Sequence, residues 1–209
     1  MAAGTTPGVR RRKPSKGDLT SQAILDTAEK LLTERDLTAI TIDDLASGAG
    51  IKRSAFYFHF ESREAVLYLL AERVLSQLYD AATLWTERTE GSPDDAVRRS
   101  IAGNVAVWRA NGPVLRAAVR ARDTDENMRQ FWADVARRFI TAVADRIDAD
   151  RAAGLAVPGP PSAKSLATVL VSMNDEVFYH HSRTRRSPAA DREVVDTLTT
   201  VWLRSIYAR

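Results

Sequence analysis

The segment from Thr41 to Phe60, TIDDLASGAGIKRSAFYFHF, constrains the fold most, because it holds signals for two short helices around one turn. Thr41 is a favourable N-cap, and Asp44 three residues later completes a capping-box pair. Gly50 lies where the chain must turn, and glycine tolerates the positive φ that such turns often need. The pattern predicts a helix-turn-helix.

After the turn, the second short helix would present polar side chains at Lys52, Arg53, Ser54, Tyr57 and His59. In a DNA-binding helix-turn-helix, the second helix lies in the major groove, where such side chains can contact DNA. An ordinary helical hairpin with a polar face has the same signals, so both interpretations stay open at this point.

A basic stretch precedes the motif. Residues 1–17 contain five basic residues and no acidic one, so within a total charge of +3 the remaining residues sum to −2. A basic arm in front of a helix-turn-helix suits phosphate attraction or insertion into the minor groove. Basic tails without a partner are also common. We predict a disordered basic arm over residues 1–17.

Several protein classes are excluded by what the sequence lacks. It has no cysteine, which excludes a disulfide framework, thiol catalysis and a cysteine-ligated metal. No apolar run approaches the roughly 20 residues that span a bilayer. No apolar segment follows the N-terminal basic residues as in a secretory signal. We therefore expect a cytoplasmic protein.

Helical periodicity dominates the rest of the chain, and no segment alternates as a strand does. It predicts an all-α fold of about nine helices, with an N-terminal three-helix DNA-binding domain over residues 18–61. Residues 62–209 are expected to form a second helical domain. Outside the motif, the predicted helices span residues 19–35, 62–79, 93–110, 113–122, 124–150, 162–184 and 188–207.

The last two predicted helices have wide apolar stripes. Major-groove readers commonly bind as two-fold dimers, so we predict a homodimer through these helices. A monomer with a broad core is the alternative. The stripes contain Leu166, Val169, Leu170, Met173, Val177 and Phe178 in the first helix, and Val194, Val195, Leu198, Val201, Trp202, Ile206 and Tyr207 in the second.

Asn174 is a polar residue on an apolar helix face, one turn from both Leu170 and Phe178. A buried amide without partners costs about 1–3 kcal/mol, so it either bonds to a neighbouring helix or anchors a ligand in an apolar cavity. Aromatic residues at helical spacing are more often core than pocket. Those in the surrounding helices are Trp108, Phe131, Trp132, Phe139, Phe178 and Trp202.

These residues together resemble the TetR family of bacterial transcriptional regulators over essentially the full chain. Within the family, the resemblance is greatest to a mycobacterial repressor branch. The family signature is echoed by Ile24-Leu25 with Ala28, Thr41-Ile42, Leu45-Ala46, Ala49-Gly50-Ile51, Phe56-Tyr57, His59-Phe60 and Ser62-Arg63-Glu64-Ala65.

The resemblance implies an all-helical homodimer that binds a palindromic operator and is released by a small, largely apolar ligand. Most members of the family are repressors. It also implies that residues 62–209 are an effector-binding and dimerisation domain with a ligand pocket, in which Asn174 is the amide that hydrogen-bonds the ligand. The candidate ligand-binding residues are Trp108, Trp132, Phe139, Asn174, Phe178 and Trp202.

The chain departs from the branch it resembles at several positions. Val171 replaces a second asparagine and Phe139 replaces a tryptophan, so we expect a different ligand. Lys52 and Ala55 stand where a serine N-cap and a threonine are usual. Because a cation at a helix N-terminus is disfavoured by the macrodipole, we infer that a DNA phosphate offsets Lys52.

The DNA contacts divide into two groups. Thr41, Lys52, Tyr57 and Arg63 are expected to donate to phosphates, which sets register without reading sequence. Arg53 and His59 are the candidates for contacts with base edges, and Ser54 is a further candidate.

Other functional classes are disfavoured. The sequence has no motif of a hydrolase, a zinc protease or a phosphate-binding loop, so we predict no enzyme, cofactor or metal site. The adjacent His180 and His181 would point about 100° apart on a helix, which suits neither a shared metal nor a dyad. A helical adaptor that binds only protein, and a ligand-responsive activator, remain as alternatives.

Overall fold

The computed structural model describes residues 15–184 and 187–208, so most of the predicted basic arm lies outside the described residues. Within these ranges the chain forms eight α-helices, a single-turn 3-10 helix at Leu37–Ala39 and no strand, which confirms the all-α fold. None of these helices is long and apolar enough to cross a membrane. They are α1 Lys16–Glu34, α2 Ile42–Gly48, α3 Arg53–Phe56, α4 Arg63–Thr86, α5 Pro93–Ala121, α6 Glu126–Ala152, α7 Ala163–Arg183 and α8 Pro188–Tyr207.

Two compact units divide the chain, the first ending at Val66 and the second beginning at Leu67. Helices α1 to α3 lie in the first unit, where α2 contacts both α1 and α3. Helix α4 begins in the first unit and continues into the second. In the second unit α5 packs against α7 and α8, and α6 packs against α7.

The start of α1 differs from the prediction, which placed it at Leu19. Ser15 is the N-cap, and its hydroxyl accepts a hydrogen bond from the Asp18 backbone N–H at 3.2 Å. The Asp18 carboxylate accepts from the Ser15 N–H at 2.8 Å, completing a capping box. This reciprocal pair stabilises an earlier start. Lys16 and Gly17, assigned to the arm, are therefore helical.

The predicted break between residues 110 and 113 lies at a kink in α5, where two helical segments meet, so the described residues contain eight α-helices rather than about nine. Asn111 alone has non-helical angles, with φ −112° and ψ 17°, and Pro113 follows it. The Asn111 side-chain amide donates to the Val107 carbonyl at 3.0 Å. This bond supplies a donor for that carbonyl where the backbone deviates, so α5 kinks without ending.

The first unit depends on one close approach between helices. A Cβ atom added at Gly48, the last residue of α2, would lie 2.3 Å from Cγ2 of Thr27 on α1. Real Cβ atoms essentially never come so near another heavy atom, so only glycine fits here without a shift. The sequence interpretation had not singled out this position.

The second unit contains a buried carboxylate, Asp150 of α6, with no accessible surface. It accepts hydrogen bonds from Arg88 Nη2 at 2.9 Å, from Arg146, and from the Tyr207 hydroxyl at 2.6 Å. That hydroxyl in turn accepts from Trp85 Nε1 at 3.0 Å. These bonds pair the buried charge and join the end of α6 to the end of α8.

Candidate functional site

Helices α2 and α3 with the turn between them form the predicted helix-turn-helix. The Thr41 hydroxyl accepts from the Asp44 N–H at 3.1 Å, and the Asp44 carboxylate accepts from the Thr41 N–H at 2.8 Å. Gly50 has φ +71°. The predicted capping box and the predicted positive φ are both confirmed. Hydrogen bonds from Thr41 also lower the pKa of Asp44.

One face of this motif is exposed. Lys52, Arg53, Ser54, Tyr57 and Phe58 all have exposed side chains on or just after α3. Lys52 is the N-cap and makes no side-chain capping bond, so its ammonium group does not hold the helix end. The sequence interpretation missed Phe58, which at 89 % exposure is an unusually accessible aromatic residue.

Arg53 already has partners within the first unit. Its Nη1 lies 2.6 Å from Asp43 Oδ2 at the start of α2, and its Nη2 donates to the Tyr57 hydroxyl at 3.4 Å. Both members of the ion pair are more than half exposed. Such a pair is weak in water, so it orients Arg53 and can open when a stronger acceptor arrives.

Three other candidate DNA contacts also have internal hydrogen bonds. The Thr41 hydroxyl donates to Asp44 at 2.8 Å, and His59 Nδ1 lies 2.9 Å from the Ser21 hydroxyl of α1. Arg63 Nη1 donates to the carbonyls of Thr38 and Ile40 at 3.1 and 2.9 Å. Arg63 therefore holds the segment before α2, and Nη2 is the end of its guanidinium left for another acceptor.

A cavity in the second unit brings together all six residues predicted to bind a ligand. Trp85 of α4 lies on the same wall, so every tryptophan of the chain lines this cavity. The free volume is about 70 Å³. The six predicted residues are Trp108 of α5, Trp132 and Phe139 of α6, Asn174 and Phe178 of α7, and Trp202 of α8.

Of the two polar groups of the Asn174 amide, only the oxygen has a hydrogen-bond partner within the described residues. Its Oδ1 accepts a hydrogen bond from Trp202 Nε1 at 3.0 Å, which also sets the orientation of the amide because an indole nitrogen can only donate. The Nδ2 group is the part of Asn174 that can bind a ligand acceptor. Val171 lies on the same wall, where it presents only apolar surface.

Two further polar groups line or border this wall. Trp132 is buried, and its Nε1 has no hydrogen-bond partner within the described residues. Asp175 of α7 lines the cavity beside Asn174 and was missed in the sequence interpretation. Although Asp175 is an exposed residue by accessible surface, the protein packed around its carboxyl desolvates it and, only partly offset by Arg122, raises its pKa to about 6. Its spacing from Val171 and Phe178 was the signal that could have identified it.

The two adjacent histidines have separate partners, as their helical spacing requires. His180 Nε2 lies 2.7 Å from Glu176 Oε1 on the exposed side of α7. His181 is largely buried, with Nε2 2.6 Å from Asp191 Oδ1 and 2.8 Å from Arg109 Nη2. Asp191 also pairs with Arg109 Nε at 2.7 Å. This cluster links α5, α7 and α8.

Family models match segments of both units of the chain. Residues 24–68 match the model of bacterial regulatory proteins of the tetR family, and residues 97–208 match the C-terminal domain of the transcriptional regulator EthR. The chain belongs to the TetR family. The match to the EthR C-terminal domain covers most of the second unit, which contains the cavity.

Known TetR-family relatives align along nearly the whole chain. The HTH-type transcriptional regulator EthR of Mycolicibacterium smegmatis is 35 % identical over 202 residues, covering 97 % of this chain and 93 % of the relative. EthR of Mycobacterium tuberculosis is 37 % identical over 201 residues, covering 96 % and 92 %. These similarities make this protein a helix-turn-helix transcriptional regulator.

A more distant relative is the transcriptional repressor KstR2 of Mycobacterium tuberculosis, 28 % identical over 140 residues, which cover 61 % of this chain and 70 % of the relative. The solved structure of KstR2 superimposes with a TM-score of 0.65 at 18 % identity, covering 90 % of this chain and 94 % of that chain. At this identity the superposition supports the shared fold.

Proposed function

We propose that this protein is a repressor that binds a palindromic DNA operator as a homodimer and is released from it by a small, largely apolar ligand. The observation behind the proposal is the combination of an exposed recognition face, formed by Lys52, Arg53, Ser54, Tyr57 and Phe58, with an aromatic cavity in the other unit. The repressor KstR2 has the same fold. We assign DNA binding to residues 18–61, effector binding and dimerisation to residues 62–209, and a cytoplasmic location, where a bacterial operator lies.

The recognition face suits DNA contacts of two kinds. The free ammonium group of Lys52 is available to a phosphate, as are the exposed hydroxyl of Tyr57 and Nη2 of Arg63. Arg53 is the candidate for guanine edges in the major groove, with Asp43 orienting it until DNA arrives. His59 can reach a base only through Nε2, since Ser21 engages Nδ1.

The size of the cavity supports a mechanism for ligand release. Drug-sized ligands usually occupy about 300–1,000 Å³, far more than the 70 Å³ found here. A ligand must therefore move wall side chains, and it binds the widened state in preference to the narrow one. Helix α4 contributes Leu78, Ala82 and Trp85 to the wall and begins in the DNA-binding unit, which makes it the candidate lever.

Dimerisation is assigned to α7 and α8. Along α7, the accessible apolar residues Leu166, Val169, Met173 and Val177 follow helical spacing, and Val169 is 64 % exposed. An unpaired stripe of this kind is a favourable dimer surface. Val169→Glu should yield a monomer in sedimentation equilibrium, whereas Thr168→Glu, on the other side of the helix, should leave the dimer intact.

The deciding experiment is binding of the purified protein to the intergenic DNA beside its own gene, measured across a salt series. Saturable, sequence-selective binding whose affinity falls steeply with salt supports the proposal. Equal, weak binding to this DNA and to a scrambled duplex would argue against an operator at that locus. Failure to bind any DNA at low salt would contradict the regulator function itself.

A further inference from the structure

The cavity wall holds one charged side chain among its described residues, the carboxylate of Asp175. On α7, Val171, Asp175 and Phe178 follow the i, i+4, i+7 spacing of one helix face, and all three line the cavity. Asp175 keeps an accessible surface, so a molecule that enters the cavity can reach its carboxylate.

The Asp175 carboxylate has neither a hydrogen bond nor an ion pair within the described residues. The charged groups that act on it are Arg122, which favours the ionised form, and Glu176, which opposes it. Desolvation by the surrounding protein outweighs Arg122 and raises the pKa of Asp175 to about 6. At neutral pH the wall of the cavity therefore carries an anion that makes no direct ion pair within the described residues, and a bound cation can supply that pair.

Glu176, the next residue, has a different environment. Its carboxylate lies 2.7 Å from His180 Nε2, and 71 % of its side chain is exposed. It does not line the cavity. The chain therefore offers two neighbouring carboxylates of which only Asp175 faces the cavity, and Glu176 is a matched control.

The rest of the wall is suited to an organic cation. Trp85, Trp108, Trp132 and Trp202 surround the cavity, and the face of an indole ring attracts an ammonium group more strongly than other aromatic faces do. The unpartnered Nδ2 of Asn174, adjacent to Asp175, adds a donor for a ligand oxygen. Aromatic faces attract ammonium groups, and the Asp175 carboxylate adds the opposite charge within the same wall.

Building on the proposed function, we propose that the effector of this protein is a cationic amphiphile, with an apolar body among the tryptophans and a basic amine paired with Asp175. The charge distinguishes this site from a purely apolar cavity. A neutral molecule of the same shape fills the same space but leaves the Asp175 carboxylate unpaired, and so binds more weakly.

The test compares two probes of the same shape, 4-phenylbutylamine and 4-phenylbutan-1-ol, by titration calorimetry at pH 7.5 with the full-length protein. The wild type should bind the amine about tenfold or more tightly than the alcohol, a difference of about 1.4 kcal/mol. Asp175→Asn should remove this preference by weakening the amine alone. Glu176→Gln should retain it.

Two outcomes separate the inference from the function on which it rests. If the wild type binds both probes equally, or if Asp175→Asn keeps the preference for the amine, cation recognition is wrong. The proposal that the cavity binds a ligand is then still supported. If neither probe binds at millimolar concentration to protein that still binds its operator, cation recognition is wrong, whereas DNA binding is supported.

Discussion

Trp202 of α8 donates a hydrogen bond from Nε1 to Oδ1 of Asn174 on α7, at 3.0 Å. The bond spans the wall of the cavity and ties α7 to α8. It means that both interpretations of Asn174, as a partner of a neighbouring helix and as a ligand anchor, can hold at once, through different atoms of one amide.

Replacing Asn174 with leucine should lower the free energy of unfolding by about 1–3 kcal/mol, because Trp202 Nε1 is then left without an acceptor. Trp202→Phe tests the other partner. In urea denaturation, the double variant should lose less stability than the sum of the two single variants, with a coupling of about 0.5–3 kcal/mol. Strict additivity would mean that the bond contributes nothing to stability.

Arg53→Ala and Lys52→Ala should weaken operator binding in different ways. Loss of Arg53 should cost about 1–3 kcal/mol and relax the base preference at one position. Loss of Lys52 should weaken all sequences alike and reduce the salt slope by about 1. Binding-site selection with each variant checks this division, and a changed sequence preference in Lys52→Ala would reverse the two roles.

Gly48→Ala should destabilise the protein, although alanine is normally the better helix former by about 1 kcal/mol. The new methyl group would lie 2.3 Å from Thr27 Cγ2, and overpacking of this kind costs about 1–3 kcal/mol. Gly17→Ala is the control, since its nearest neighbour would be Ser15 Oγ at 3.6 Å. In thermal denaturation, Gly48→Ala should have a lower Tm than the wild type, and Gly17→Ala should not.

Asp175→Asn should stabilise the protein at neutral pH and have little effect at pH 4. The folded-state pKa of Asp175, about 6, lies above the ordinary value of 3.8, so the folded state binds the proton more tightly than the unfolded state. Ionisation therefore removes stability as pH rises between these two values, and asparagine avoids that loss. When Tm is measured from pH 4 to 8, the Tm of Asp175→Asn should exceed that of the wild type only above about pH 5. Glu176→Gln, which also removes one negative charge, is the control.

The sequence was most informative where structure is set by neighbours in the chain. The capping box of Thr41 and Asp44 and the positive φ of Gly50 depend on a few adjacent residues, and both were predictable. The six aromatic and amide residues around the cavity were placed by family resemblance, because helical spacing alone does not distinguish a core from a cavity wall.

The missed features depend on contacts that are distant in sequence or on local substitutes for backbone bonds. An Asn-Gly-Pro run normally ends a helix, but here the Asn111 amide donates to the Val107 carbonyl at a kink where two helical segments stay joined as α5. Asp150 is paired by groups up to 62 residues away. Whether Asp175 lines the cavity depends on how α6 and α8 pack against α7.

The four tryptophans of this chain all lie on the wall of one cavity, and the first unit contains none. The intrinsic indole fluorescence of the protein therefore originates entirely from that wall. A molecule that enters the cavity would alter the emission without any attached dye, and a change confined to the DNA-binding unit would have no indole of its own to report it. The chain thus has an optical probe of cavity occupancy built into its composition.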